Sequence, residues 1–191
     1  LYCSQTYAMT MAMEFCKAGD SEEGALLFDL SYPEFMSHGY DERNHHHQDY
    51  REQRETLGLW VKTAGYFLDW EEVEKHIDNF VSYCGTLASE QGEELDKERS
   101  KRGFINEYLD SLAEQGQWGH FDKVFGIWAA NKNNNLLIFN AYDTAIEYLK
   151  ESASSKDLLQ SYYDKAKKLF LTLNVPKADY LRMAYIATKN R

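Results

Sequence analysis

The chain is poor in residues that break helices or lock small folds. It has only two prolines in 191 residues, Pro33 and Pro176. Because proline removes a backbone donor and clashes inside a helix, this scarcity leaves room for long helices. The three cysteines, Cys3, Cys16 and Cys84, cannot all pair within one chain, and their spacing matches no disulfide framework or zinc knuckle. We therefore expect a reducing compartment, the cytoplasm.

Long apolar runs and catalytic signatures are also missing. No stretch of about 18 uncharged apolar residues occurs, so we expect no membrane span. The glycine-rich phosphate loops and the Gly-x-Ser-x-Gly nucleophile motif are absent. A di-iron bundle needs Glu-x-x-His on two helices, but Val73 and Gln117 stand three residues before His76 and His120. The chain begins at Leu1 rather than Met, which predicts a missing earlier piece and leaves a removed export signal as an open alternative.

The charge is acidic and unevenly distributed. A net charge of −10 argues against general affinity for nucleic acid or anionic lipid, because phosphate binding needs clustered Lys and Arg. Residues 1–100 hold 21 Asp and Glu against 8 Lys and Arg, whereas residues 101–191 hold 10 against 13. Two interpretations stay open: two solvated faces of different sign, or an acidic N-terminal half that binds a basic protein.

Helical spacing of apolar residues is clearest between Thr56 and Cys84. Two stripes recur there at intervals of three and four, with Leu68 and Asp69 as the link and Asp69 as a candidate helix cap. So short a link predicts an antiparallel helical hairpin. The first stripe consists of Leu57, Trp60, Val61, Ala64 and Phe67, and the second of Trp70, Val73, Ile77, Phe80 and Cys84.

Similar stripes predict helices along most of the remaining chain. We expect one over residues 2–17, stopped by Gly19 and offering Tyr7 to a core, and a short one from residue 20 or 21 to Leu30. Gly85 is expected to end the second hairpin helix. Further helices are predicted near residues 104–112, 121–128, 138–149, 159–173 and 178–190, a turn over residues 131–135, and a loop over residues 36–49.

Two local features have packing or surface interpretations. Gly58 and Gly65 lie seven residues apart on one side of the first hairpin helix, which indicates a second backbone passing close by. Residues 90–102 form a dense charge run, interpreted as a solvated helix or helical link. In it Glu93 is expected to pair with Lys97, and Glu98 with Arg102, each four residues on.

These patterns predict an all-α protein: a single globular helical bundle or a short irregular array of antiparallel helical hairpins. Residues 1–191 are expected to form one domain, with a possible acidic sub-half 1–89, a charged helix 90–102 and a neutral-to-basic sub-half 103–191. No signature recurs at a fixed period, so a helical-repeat solenoid is not favoured.

The histidines are the only candidate metal ligands with a local concentration. A loop could bring two of His45, His46 and His47 together with His38 or Glu42, whereas on a helix three consecutive side chains point about 100° apart. The alternative is a plain polar loop, and it is the one we favour. We therefore predict no metal, no cofactor and no catalytic residue.

Aromatic residues with a polar end mark the predicted binding region. Tyrosine fills a pocket and still makes a hydrogen bond, which suits protein interfaces, although most of the fourteen tyrosines are expected in the core or at its boundary. Three of them flank the acidic loop of the first half. The predicted partner-binding residues are Tyr32, Glu34, Tyr40, Asp41, Glu42, Asp49 and Tyr50.

The hairpin resembles those of the helical immunity proteins of bacterial polymorphic-toxin systems. The resemblance rests on the segments Leu57-Gly58-Leu59-Trp60 and Tyr66-Phe67-Leu68-Asp69-Trp70-Glu71-Glu72-Val73, about thirty residues of 191. It implies a small, acidic cytoplasmic protein that neutralises a toxin by blocking its active site. A structural or scaffolding subunit of a larger assembly is the first alternative, and a metal-dependent helical-bundle enzyme is the second.

Overall fold

The computed structural model describes residues 2–31, 49–129, 135–151 and 156–172. These ranges contain eight α-helices and no strand, which confirms the all-α prediction. Within them, no helix combines the length and apolar character needed to cross a bilayer. The helices are α1 (Tyr2–Lys17), α2 (Ser21–Asp29), α3 (Tyr50–Ala64), α4 (Trp70–Glu90), α5 (Lys97–Glu114), α6 (Trp118–Ala129), α7 (Asn135–Glu151) and α8 (Lys156–Thr172).

The chain folds as two compact units, Leu1–Ser111 and Leu112–Arg191. The first contains α1 to α4 and most of α5, and the second contains α6 to α8. Of the predicted turn over residues 131–135, residues 131–134 lie outside the described residues, and Asn135 already belongs to α7. Residues 36–48 of the predicted loop over residues 36–49 and the predicted helix over residues 178–190 also lie outside them.

Helices α1 and α2 form a close pair. Gly19 has φ +90°, a left-handed conformation that glycine adopts without strain, and it stops α1 where the sequence predicts. Asp20 then caps α2 by accepting a hydrogen bond from the Glu23 N–H at 3.4 Å. The expectation that Tyr7 belongs to the core is wrong, because its side chain is 66% exposed. Within residues 5–17, where burial is described, the buried α1 residues are Met9, Ala12 and Met13.

The predicted hairpin is present, with different ends. Helix α3 stops at Ala64 rather than Phe67, and the Gly65 N–H donates to the carbonyls of Val61 and Lys62 at 3.2 Å, which tightens the last turn. The link to α4 is therefore five residues long. At its end Asp69 occupies the capping position, but only its backbone carbonyl accepts hydrogen bonds from the α4 amides.

The prediction that Gly85 ends α4 is wrong. The helix continues to Glu90, and the turn that follows contains Gly92 with φ +73°. A glycine inside a helix costs about 1 kcal/mol relative to alanine. Leu87 and Ala88 lie beyond it and are buried, so the apolar contact of the extra turns offsets that cost.

Trp60 is the centre of the first unit. Its indole is 2% exposed and lies 5.4 Å from the Phe28 ring of α2, 5.4 Å from the Phe80 ring of α4 and 5.1 Å from the His76 ring. Phe80 in turn contacts Phe104 of α5 with ring centroids 6.0 Å apart. Aromatic pairs at these distances favour edge and offset contacts. Rings from four helices therefore form one continuous core.

The charge run, residues 90–102, is helical at Glu90, the last residue of α4, and again from Lys97 onward. Residues 91–96 are non-helical and α5 begins at Lys97. Glu93 lies in this non-helical segment and is therefore not one helical turn from Lys97, so the expected Glu93–Lys97 pairing is wrong. Its carboxylate instead accepts two hydrogen bonds from the guanidinium of Arg51, at 3.0 and 2.9 Å.

The second unit has an aromatic core of its own around Tyr162, which is fully buried. The Tyr162 ring lies 5.5 Å from Trp118, 5.9 Å from Phe121 and 6.2 Å from Tyr142. Its hydroxyl donates to Asp122 Oδ1 at 3.0 Å. Helices α6, α7 and α8 thus meet at one tyrosine whose polar end has a partner.

Of Gly58 inside α3 and Gly65 just after its end, only Gly65 is tightly enclosed. A Cβ added at Gly65 would lie 2.9 Å from Ser111 Cβ and would overlap Ser111 Oγ, which itself donates to the Tyr108 carbonyl at 2.8 Å. A Cβ at Gly58 would meet Glu107 Cγ at an ordinary 3.6 Å. The close neighbour is the helix α5, as the glycine spacing predicts, but it touches through side chains.

Gly65→Ala and Gly58→Ala are therefore expected to differ in sign. Gly65→Ala should lower the free energy of unfolding by about 1–3 kcal/mol, because the buried Ser111 cannot move aside without losing its hydrogen bond. Gly58→Ala, the matched control, should be neutral or stabilising by up to about 1 kcal/mol. Urea denaturation of both variants measures the difference, and equal effects would contradict the packing described for Gly65.

Candidate functional site

Two of the seven predicted partner-binding residues are described, and both lie at the start of α3. Asp49 caps the helix, its Oδ1 accepting a hydrogen bond from the Arg51 N–H at 2.8 Å. The Tyr50 hydroxyl donates to Glu93 Oε2 at 3.0 Å. Their role as partner contacts stays a prediction. The other five, Tyr32, Glu34, Tyr40, Asp41 and Glu42, lie outside the described residues.

A surface cluster joins this end of α3 to the segment before α5. The guanidinium of Arg51 binds both carboxylate oxygens of Glu93 and lies 5.3 Å from the centre of the Tyr50 ring. The hydrogen bond with Tyr50 and the charge of Glu93 raise the pKa of Arg51. Because the cluster is exposed to water, its ion pair contributes little to stability. It does hold the Tyr50 ring beside carboxylates.

Exposed carboxylates dominate the surface of the first unit. Its described residues include twenty Asp and Glu against nine Lys and Arg, and seventeen of the twenty are exposed. Four basic side chains are held in ion pairs: Lys17–Glu14, Arg51–Glu93, Lys62–Asp110 and Lys101–Asp78. Even if all nine basic residues were paired, eleven of the twenty acidic residues would stay uncompensated. The unit therefore carries a negative potential over much of its described surface.

A groove of about 390 Å³ runs between α3 and α5 within this unit. Two glycines lie where the helices face each other, and the absence of their side chains leaves the space open. The walls carry both signs of charge. The lining residues are Arg54, Glu55, Gly58, Leu59, Arg99, Ser100, Gly103, Phe104 and Glu107. Such a lining suits hydrogen bonds and charge contacts with a polar segment of a partner.

Among the side chains that line this groove, Glu107 has a pKa that its surroundings raise. Burial raises its pKa, the neighbouring charge of Asp110 raises it further, and the ammonium of Lys62 opposes both. Lys62 is itself held by an ion pair with Asp110. The Glu107 carboxylate therefore shares a cation that is already engaged.

The described residues contain no group of three or more His, Cys, Asp or Glu side chains placed to hold a metal ion. The candidate ligands His38, His45, His46, His47 and Glu42 lie outside these residues. Burial raises the pKa of Cys84 to about 12, which keeps it a thiol and unreactive at neutral pH. Burial likewise lowers the pKa of His76, whose ring packs against Trp60. Cys84 is buried and His76 packs against an aromatic ring, so both side chains take part in packing.

Comparison with known proteins finds no matching family model, no matching curated protein and no matching solved structure. The resemblance to helical immunity proteins is thus neither supported nor opposed by any relative. The described surface of the first unit combines exposed carboxylates, the Tyr50 cluster and the groove between α3 and α5.

Sequence reasoning missed the groove and the contacts of Arg51. Gly58 is recognisable as a special position, but nothing in the spacing indicates that Gly103 of a helix forty-five residues later would face the same space. Arg51 and Glu93 are likewise 42 residues apart. Contacts at such separations follow from tertiary packing, which local periodicity does not encode.

The raised pKa of Glu107 predicts a pH-dependent effect of Glu107→Gln. In the unfolded chain the pKa of this carboxyl is near its ordinary value of 4.5, and burial in the folded protein raises that pKa. Ionisation therefore costs the folded state stability as pH rises above 4.5, and glutamine removes that cost. The variant should be more stable than the parent at about pH 7 and similar to it at about pH 4.

Urea denaturation at both pH values measures this effect, with Glu55→Gln as the control from the same groove. Glu55 is exposed, so its neutralisation should change the free energy of unfolding by no more than about 0.5 kcal/mol. Destabilisation by Glu107→Gln at neutral pH would contradict the account. It would mean that the pairing with Lys62 outweighs the burial of the charge.

Proposed function

We propose that this protein is a non-enzymatic binding module whose acidic first unit captures a basic partner protein. The specific form we propose is an inhibitor of the immunity type, which neutralises a toxin by covering its active site. The observation that supports the proposal is the excess of exposed carboxylates in the first unit, seventeen among its described residues.

The physical basis is electrostatic complementarity. A surface with this density of carboxylates attracts a basic partner over distances of about 10 Å at moderate salt and accelerates the encounter. Proteins that bind nucleic acids carry clustered Lys and Arg because their substrate is a polyanion. An acidic helical surface can bind to that same cluster of Lys and Arg side chains. A toxin with nuclease activity is therefore the class of partner that best matches the charge.

The close-range part of the interface is expected to include aromatic and polar groups near the start of α3. Tyr50 presents an aromatic ring beside the carboxylates of Asp49 and Glu93. Tyrosine and arginine are the residues that most often contribute large binding energies at interfaces. Arginines of the partner would meet the Tyr50 ring and the surrounding carboxylates together, through cation–π and charge contacts.

The proposal is tested by capturing the partner with the tagged chain from its native host and repeating the measurement with purified components. We expect one dominant basic partner with a pI above about 9. Its association rate constant should fall steeply as NaCl rises from about 50 to about 500 mM, because screening shortens the range of attraction. Saturating amounts of this chain should abolish the enzymatic activity of the partner.

Two results would contradict the proposal. Capture of several neutral or acidic subunits in fixed stoichiometry would identify a structural subunit of a larger assembly instead. If a captured basic partner kept its activity in the complex, the proposed binding would stand and the proposed inhibition would be wrong. A tagged acidic protein of similar size and net charge serves as the matched bait, and a partner that it captures equally well is bound by charge alone.

A further inference from the structure

Exposed apolar side chains occur in the first two helices. Among the residues whose burial the structure describes, four large hydrophobic side chains are exposed, and three of them lie within residues 5–31: Tyr7 at 66%, Leu26 at 61% and Leu30 at 77%. Leu26 and Leu30 are four residues apart at the end of α2. They therefore lie on one side of the helix, a single turn from each other.

The packing of α2 on its other side keeps these leucines in solvent. A Cβ added at Gly24 would lie only 2.8 Å from the carbonyl oxygen of Ala12, so α2 rests directly on the α1 backbone. Phe28 stacks on Trp60 at 5.4 Å and on Phe67 at 4.9 Å. Rotating α2 to bury the leucines would expose Phe28 and break this contact. The exposure is thus a property of the fold.

Carboxylates surround the two leucines. Glu22, Glu23 and Asp29 are all exposed, and α2 contains no Lys or Arg. The only basic residue in residues 2–31 is Lys17, which is in an ion pair with Glu14 at 3.1 Å. We name this surface, consisting of Glu22, Glu23, Leu26, Asp29 and Leu30, the α2 outer face. It is an apolar pair within an acidic rim.

We propose that the α2 outer face docks a basic amphipathic helix of the partner protein. Leucines or similar residues of that helix would cover Leu26 and Leu30, and its lysines and arginines would reach the three carboxylates. The inference rests on the proposed function and assigns to it a specific contact surface. An apolar centre within a charged rim is the arrangement in which the rim excludes water and the centre supplies most of the energy.

Charge complementarity selects this occupant over the others. A second copy of the chain docked by the same face would oppose carboxylates to carboxylates, which disfavours a symmetric dimer. An anionic lipid surface would be repelled in the same way. A basic helix removes both the exposed apolar area and the uncompensated acid. A stable interface buries about 1,600 Å² in total. Two leucines supply only part of that area, so they form its centre and further acidic residues must contribute.

The experiment uses the full chain and a fluorescent synthetic helix of about 18 residues, built from leucine and lysine with the leucines at helical spacing. Its affinity is measured by fluorescence anisotropy at near-physiological salt. Leu26→Ser combined with Leu30→Ser should weaken binding about tenfold or more, and E22Q/E23Q/D29N should weaken it by a similar factor and flatten its salt dependence. All five positions are exposed, so the fold should be retained, which circular dichroism checks.

Matched controls separate this surface from general attraction between opposite charges. Ile127→Ser removes an exposed apolar residue of the second unit, and E52Q/E90Q/E94Q removes the same number of exposed carboxylates elsewhere in the first unit. Both should change the affinity by less than about twofold. A peptide with glutamate in place of lysine should not bind.

Equal losses in the controls and the test variants would overturn the docking surface but leave the proposed function intact, since binding would then follow total charge. No binding of the basic peptide would overturn the docking surface, and the capture experiment would still decide the function. A dimer of the parent chain that dissociates in the Leu26→Ser, Leu30→Ser variant would assign the face to self-association, against the proposal.

Discussion

The burial of the Trp60 indole is the interaction on which the first unit depends. It is the point where α2, α3 and α4 meet, and through Phe80 it connects to α5. A ring of this size contributes a large apolar area and leaves little freedom for its neighbours, because edge and stacking contacts are directional. Placing Phe28 against it determines which side of α2 faces the core, and therefore which side faces water.

The surface that this core leaves outside is what gives the molecule its proposed role. Acidic residues occupy exposed positions of the first unit, and they outnumber the basic residues with which some of them form ion pairs. The groove between α3 and α5 and the α2 outer face differ in lining: the first carries both signs of charge, and the second is apolar with an acidic rim. The proposed binding function depends on these two surfaces.

Helical periodicity predicted the elements and most of the core, because burial on one side repeats every three or four residues. Leu57, Trp60 and Val61 in α3 and Val73, Ile77 and Phe80 in α4 are buried as expected. Element ends were predicted less well. Gly65 ends α3, whereas Gly85, which looks equivalent in the sequence, lies inside α4, because the buried residues beyond it favour continuation.

The candidate site was harder to predict than the fold. The sequence predicted Asp49 and Tyr50 as partner contacts, a role that stays a prediction. It could not show that Tyr50 and Arg51 bind Glu93, because that contact depends on where two distant segments meet. Leu26 and Leu30 look like ordinary core residues in the sequence, and only the packing of Gly24 and Phe28 shows that they face outward. A periodic pattern shows that a side is apolar. It does not show whether another helix covers that side.

Hydrogen exchange of the α2 amides in the parent and in Trp60→Phe tests the central claim most directly. If the indole holds α2 in place, the smaller ring should reduce protection of α2 together with that of α3 and α4, since all three would open more often as one cooperative unit. Unchanged protection of α2, with losses confined to α3 and α4, would contradict the account. It would show that α2 is oriented by α1 alone.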